Sequence, residues 1–168
     1  MAQEWVTVLG LALITVSIVL FVAAALHDVA ARTVPNGLAL ALALTGIAAR
    51  AIDHTLIAGL IAGFVIFALA AFCWRRGWMG GGDVKLMGAG AIAVPPSDVV
   101  NFILVMSIAG ALLAVVYLIG RSMPAPPPSQ RPLSLPARAL RIERWRLHRG
   151  GPLPYACAIA AGGLFVLF

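Results

Sequence analysis

The stretches HDVAARTVPN (residues 27–36) and GGGDVK (residues 80–85) set Asp28 and Asp83 beside apolar runs long enough to cross a membrane. An ionisable side chain at the edge of a bilayer is costly, and by default it marks a functional site. Two carboxylates brought together can share one proton and activate a water, as in an aspartic protease.

The rest of the sequence agrees with a membrane setting. The chain has 168 residues, of which 62% are hydrophobic and 11% charged. Its mean hydropathy is +1.01. A soluble domain of this size needs more polar surface. The net charge is +6 and the pI about 10.7, but the basic residues sit between apolar runs, as in membrane loops. Nucleic acid is therefore not an expected partner. Cys73 and Cys157 both lie in apolar segments and form no CxxC pair, so they read as small buried hydrophobes rather than zinc ligands or a disulfide.

A spanning helix needs about 20 apolar residues. The runs Trp5–Leu26, Thr55–Trp74 and Val99–Gly120 have that length, Gly37–Ile52 is on the short side, and Pro152–Phe168 closes the chain as the sixth run. Leu86–Val94 rises only about 14 Å as a helix, so either Gly77–Lys85 dips into the protein or the membrane is thin there. The expected fold is all-α and polytopic, with about six transmembrane helices. Glu4 precedes the first run where a signal peptide would be basic, so that run reads as a retained helix. With the N-terminus outside and each run crossing once, eleven of the twelve basic residues fall inside and only Arg50 outside. Asp28 and Asp83 then share the cytoplasmic face, while Asp53 and Asp98 lie opposite. The whole chain, 1–168, reads as one transmembrane domain in which 121–150 is a basic, Pro-rich cytoplasmic loop. Within that loop Met123–Pro136 is expected to be extended. Ala137–His148 reads either as an amphipathic helix on anionic lipid or as a solvated basic tether.

Each candidate residue has a plainer alternative. Asp83 follows Gly80, Gly81 and Gly82, which would let an extended peptide approach closely; the alternative is an Asp that caps the next helix. Asp28 reads as the end of the first helix, opening a polar turn over Asp28–Asn36; alone it is a boundary charge, and the pairing with Asp83 gives it meaning. Pro35 and Asn36 form a turn and helix-entry signal. Lys85 reads chiefly as a snorkelling side chain, with a lipid phosphate contact or an effect on Asp83 as its other roles. His27 adjoins Asp28, but neighbours on a helix do not face each other. His54 and His148 complete no metal site, and neither a metal nor an organic cofactor is expected. Gly59 and Gly63 form a GxxxG that reads as helix packing.

The Asp28 segment with Pro35-Asn36, the GGGDVK segment and GPLPYACAIAAG (residues 151–162), in that order, resemble the prepilin peptidases of the type IV leader peptidase family. The closer resemblance is to the short form that serves Flp-type (tight adherence) pili, and it covers roughly Val6 to Phe168. It implies a GxGD intramembrane aspartic endopeptidase of the bacterial inner (plasma) membrane. Such an enzyme cuts the leader from prepilins at the cytoplasmic face. Asp28 and Asp83 match the catalytic aspartates, Gly80 and Gly82 the glycines of GxGD, and Pro154-Tyr155 a C-terminal motif that supports the site. Ala156 stands where many relatives carry glycine. The cysteine-bearing domain of the longer, N-methylating relatives is not seen, so peptidase activity alone is expected. Implied partners are the prepilin, anionic membrane lipid and the pilus assembly machinery. Two readings of other classes compete: a proton-coupled transporter, which would need an acid at mid-bilayer, and a non-catalytic assembly scaffold, which would not need either carboxylate.

Overall fold

The computed structural model describes residues 1–122 and 153–168, and these are helical with no strand. In chain order the helices are α1 (Ala2–Ala31), α2 (Asn36–Ile52), α3 (Leu56–Arg75), α4 (Gly81–Ala93), α5 (Val99–Ser122) and α6 (Tyr155–Leu167), with a 3-10 turn at Pro96–Asp98 before α5. Two compact units are present: Met1–Gly110 with Pro154–Phe168, and Ala111–Leu153. The expectations for Met123–Pro136 and Ala137–His148 lie outside the described residues.

The helix ends follow from local chemistry. α1 stops at Arg32, which takes the left-handed conformation (φ 56°). Its N–H closes on the Asp28 carbonyl at 2.7 Å. Val34 precedes a proline, which disfavours helix, and Pro35 caps α2. The Pro35-Asn36 signal thus starts α2 as expected. The polar turn does not begin at Asp28: α1 continues to Ala31, so Asp28 sits inside a helical turn that fixes its position. Gly77 (φ 76°) terminates α3. Val94, before Pro95, ends α4.

Three helical segments are long and apolar enough to cross a membrane, Gln3–Ala31, Leu56–Arg75 and Pro96–Ser122, while Asn36–Ile52 and Tyr155–Leu167 are shorter apolar helices. Large apolar side chains such as Leu11, Val19, Phe64 and Leu69 remain exposed, the pattern of helices bathed in hydrocarbon.

The short fourth run forms a helix of its own, α4. Helix formation begins at Gly81, so the glycine-rich loop is shorter than Gly77–Lys85 and Asp83 is already helical. The thirteen residues of α4 span about 20 Å. α4 packs against α2, α3 and α6, and α1 packs against α2 and α6. Val84, Leu86, Met87 and Gly88–Ala91 are buried, so α4 is an interior helix. Small residues allow this. A Cβ on Gly46 of α2 would meet the Ala93 backbone at 2.7 Å, and one on Gly163 of α6 would meet the Phe21 ring at 2.5 Å. Phe21 in turn packs against Phe102, with ring centroids 6.4 Å apart. The Gly59–Gly63 pair does serve helix packing: Gly59 lies against the Arg50 side chain and Gly63 against Ile92.

Candidate active site

Asp28 lies in the last turn of α1 and is 6% exposed. Its Oδ2 accepts a hydrogen bond from the Ala156 N–H at 3.2 Å. That donor exists because Ala156 is in the first turn of α6, where backbone N–H groups have no partner within the helix. Pro154 caps this helix. The carboxylate of α1 therefore caps α6 from outside, at the end of the helix dipole that favours negative charge.

Asp83 is the third residue of α4 and half-buried. Gly80, rather than Asp83, is the N-cap. The Asp83 carboxylate instead reaches back to the Gly80 N–H, the geometry a capping box gives an acid at this position. Asp83 stands ahead of the apolar run Leu86–Val94, outside the spanning segments. Its pKa is raised from 3.8 to about 6, first by burial and second by the Asp28 charge, with the Gly80 N–H acting against both. The two carboxylates therefore interact electrostatically across α1 and α4. Asp83 also lies within electrostatic range of Tyr155.

The glycines act by close approach. Gly80 has φ −73° and ψ 142°, which any residue adopts. A Cβ there, however, would lie 2.9 Å from Asp83 Oδ2. At Gly82 a Cβ would come 3.3 Å from Val34 Cβ, and at Gly81 3.3 Å from Trp74 Nε1. The GGG run therefore lets the chain itself close on Asp83 and on the loop before Pro35.

The remaining predicted site residues flank this centre. Lys85 Nζ donates to Asn36 Oδ1 at 2.7 Å, joining α4 to the start of α2. Lys85 is thus tethered within the protein, and it is not among the groups that shift Asp83. Tyr155 packs against Gly110 of α5, where an added Cβ would meet its ring at 2.7 Å. His27 Nδ1 pairs with the Thr33 carbonyl at 2.7 Å and serves the turn. Asp53 pairs with Arg50 at 3.0 Å, and Asp98 accepts from Ser97 and Asn101 at 2.9 and 3.2 Å. Among the described residues no group of three His, Cys, Asp or Glu side chains could hold a metal ion.

Sequence reasoning missed the Ala156 N–H, Val34 and Gly110. A backbone donor carries no side-chain signal, and Val34 and Gly110 are ordinary residues of an apolar chain. Ala156, noted only as a departure from glycine, is fully buried and supplies a hydrogen bond to the Asp28 carboxylate.

Chemically, the arrangement offers one carboxylate held by a helix N-terminus and a second that titrates close to neutrality. Two neighbouring carboxylates of this kind can share one proton and so supply both an acid and a base. The family model for the type IV leader peptidase family matches residues 8–115. The match takes in the Asp28 and Asp83 segments and stops before Pro154-Tyr155. No curated protein and no solved structure matches the chain.

Proposed function

Because the chain belongs to the type IV leader peptidase family, we propose that it is a membrane-embedded aspartic endopeptidase with Asp28 and Asp83 as its catalytic pair. The observation that carries this is the convergence of the two acids: Asp28 from α1 acts on the half-buried Asp83 of α4. The substrate class is a prepilin of Flp type, cut between its leader and its apolar helix at the cytoplasmic face of the inner membrane. The basic residues on the Asp28 and Asp83 side support that orientation and an anionic lipid surface. The chain then crosses the membrane several times with its N-terminus outside, and the pilus assembly machinery is the natural neighbour of its product.

In the proposed reaction, one carboxylate is ionised and takes a proton from water. The other is protonated and donates to the scissile carbonyl as the hydroxide adds. The resulting tetrahedral species collapses when the leaving amine receives a proton from the pair. The two acids titrate together, so neither role belongs to one residue alone. Gly80 and Gly82 keep the approach to Asp83 narrow and open. Pro35, Asn36 and Lys85 tie the Asp28 loop to α4, and Pro154 and Tyr155 present the first turn of α6 to Asp28.

The test is co-expression with a Flp-type prepilin, read by gel mobility and N-terminal sequencing of the product. Wild type should cleave, and Asp28→Asn and Asp83→Asn should each abolish cleavage at unchanged membrane levels. Cleavage that survives either substitution would refute the pair.

A further inference from the structure

On α4, Lys85, Gly88, Ala89 and Ile92 follow the spacing of one helical stripe. With Ala43 of α2 and Phe64 of α3 they line an apolar groove of about 470 Å³. Phe64 is 71% exposed, so the groove opens sideways into the surroundings of α3. At about 100° per residue, Asp83 lies about 160° around the helix from Lys85. The groove is therefore on the side of α4 turned away from the acid pair.

One end of the groove is charged. Lys85 Nζ spends one donor on the Asn36 amide oxygen at 2.7 Å. That partner is neutral, and an ammonium has three donors. Among the described residues no carboxylate pairs with Lys85; the Asp83 carboxylate is turned back to Gly80. Asn36 also opens α2, which adds the positive end of a helix at the same place. The surface is thus a lateral apolar slot that ends on a cation. We propose that the groove between α2, α3 and α4 seats an acyl chain of an anionic phospholipid whose phosphate is held by Lys85.

A peptide helix is the competing occupant. It would not need a negative group at Lys85, and it would lie behind α4 from the acid pair. The lipid assignment is independent of the peptidase reading. To test it, the full chain is reconstituted into vesicles of phosphatidylcholine and phosphatidylglycerol, extracted in mild detergent and examined by native mass spectrometry. Wild type should retain one phosphatidylglycerol in preference to phosphatidylcholine. Lys85→Gln should lower that preference about fivefold, the factor equivalent to about 1 kcal/mol for one lysine at an anionic surface. Lys85→Arg should keep it. Ala43→Phe, or Ala43→Leu should the larger side chain prevent folding, should lose both lipids. Equal retention of the two lipids by wild type, or a preference unchanged in Lys85→Gln, would overturn the proposal. Displacement of the lipid by a synthetic prepilin helix would assign the groove to substrate instead.

Discussion

Gly80→Ala separates the position of Asp83 from the stability of the fold. The added Cβ would lie 2.9 Å from Asp83 Oδ2, roughly 0.5 Å inside ordinary contact. The backbone at residue 80 already suits alanine, and replacing glycine at a compatible position stabilises by about 0.4–1 kcal/mol through the unfolded chain. What must give way is the end of one flexible side chain, at about 0.5–1.5 kcal/mol if it leaves its rotamer. These two effects nearly cancel, so Tm should stay within about 5 °C of wild type. Activity should not survive as well. Reacting groups have to be held within about 0.5 Å, and a misplacement of 1 Å can cost about 100-fold. We expect prepilin cleavage to fall about 10- to 100-fold at unchanged membrane levels. The shifted carboxylate also strains its hydrogen bond to the Gly80 N–H, the one influence that lowers its pKa, so the alkaline fall in activity should move to higher pH. Gly82→Ala is the comparison. Its Cβ meets Val34 rather than the carboxylate, and the pH profile should not move. Near-wild-type cleavage by Gly80→Ala with an unshifted profile would show that residue 80 does not position Asp83.

The raised Asp83 pKa of about 6 predicts that kcat/KM for prepilin falls as pH rises through that value, because the proton needed on the pair is lost; a rate flat from pH 5 to 8 would contradict it. The same shift has a stability consequence. A folded-state pKa above the ordinary 3.8 means that ionising Asp83 costs stability as pH rises from about 4 to 6, fully so above 6. Asp83→Asn should therefore melt higher than wild type at pH 7–8, by the equivalent of about 1–2 kcal/mol after solvent screening of a half-buried group, and show no gain at pH 4. Gly46→Ala should destabilise by about 1–3 kcal/mol, since its Cβ would meet the Ala93 backbone at 2.7 Å and no side chain can move aside; thermal unfolding in detergent measures it.

The sequence made the helices and the acid pair legible for physical reasons. Apolar length announces a membrane helix whatever its partners, and Pro35 fixes where α2 can start. Charge beside such runs is rare enough for Asp28 and Asp83 to stand out. The local readings that failed depended on what lies across the fold. The stretch from Asp28 looked like a turn because it is polar, yet α1 holds one more turn and uses the Asp28 carbonyl to end at Arg32. Gly80–Gly82 looked like a flexible loop because glycine is permissive, yet two of these residues are helical and the glycines answer to Asp83, Trp74 and Val34. The bond from Lys85 to Asn36 was illegible for another reason: its partner stands 49 positions away, beyond the reach of any local pattern.

The brevity of α4 bears directly on where Asp83 can meet water. The helix spans about 20 Å against a hydrocarbon core of about 30 Å, so one of its ends must stop short of the membrane surface. Gly81 faces the Trp74 indole, and Trp74 is in the last turn of the twenty-residue α3, a helix long enough to cross. The N-terminal turn of α4, with Asp83, is therefore level with the end of α3. The shortfall falls at the other end, where Val94 gives way to the 3-10 turn Pro96–Asp98, which packs against α3. Irregular backbone is tolerable there because protein surrounds it. A short buried helix anchored at its N-terminus thus keeps one carboxylate half-buried, basic enough to hold a proton near neutrality and open enough to reach water, the two conditions that the proposed hydrolysis places on it.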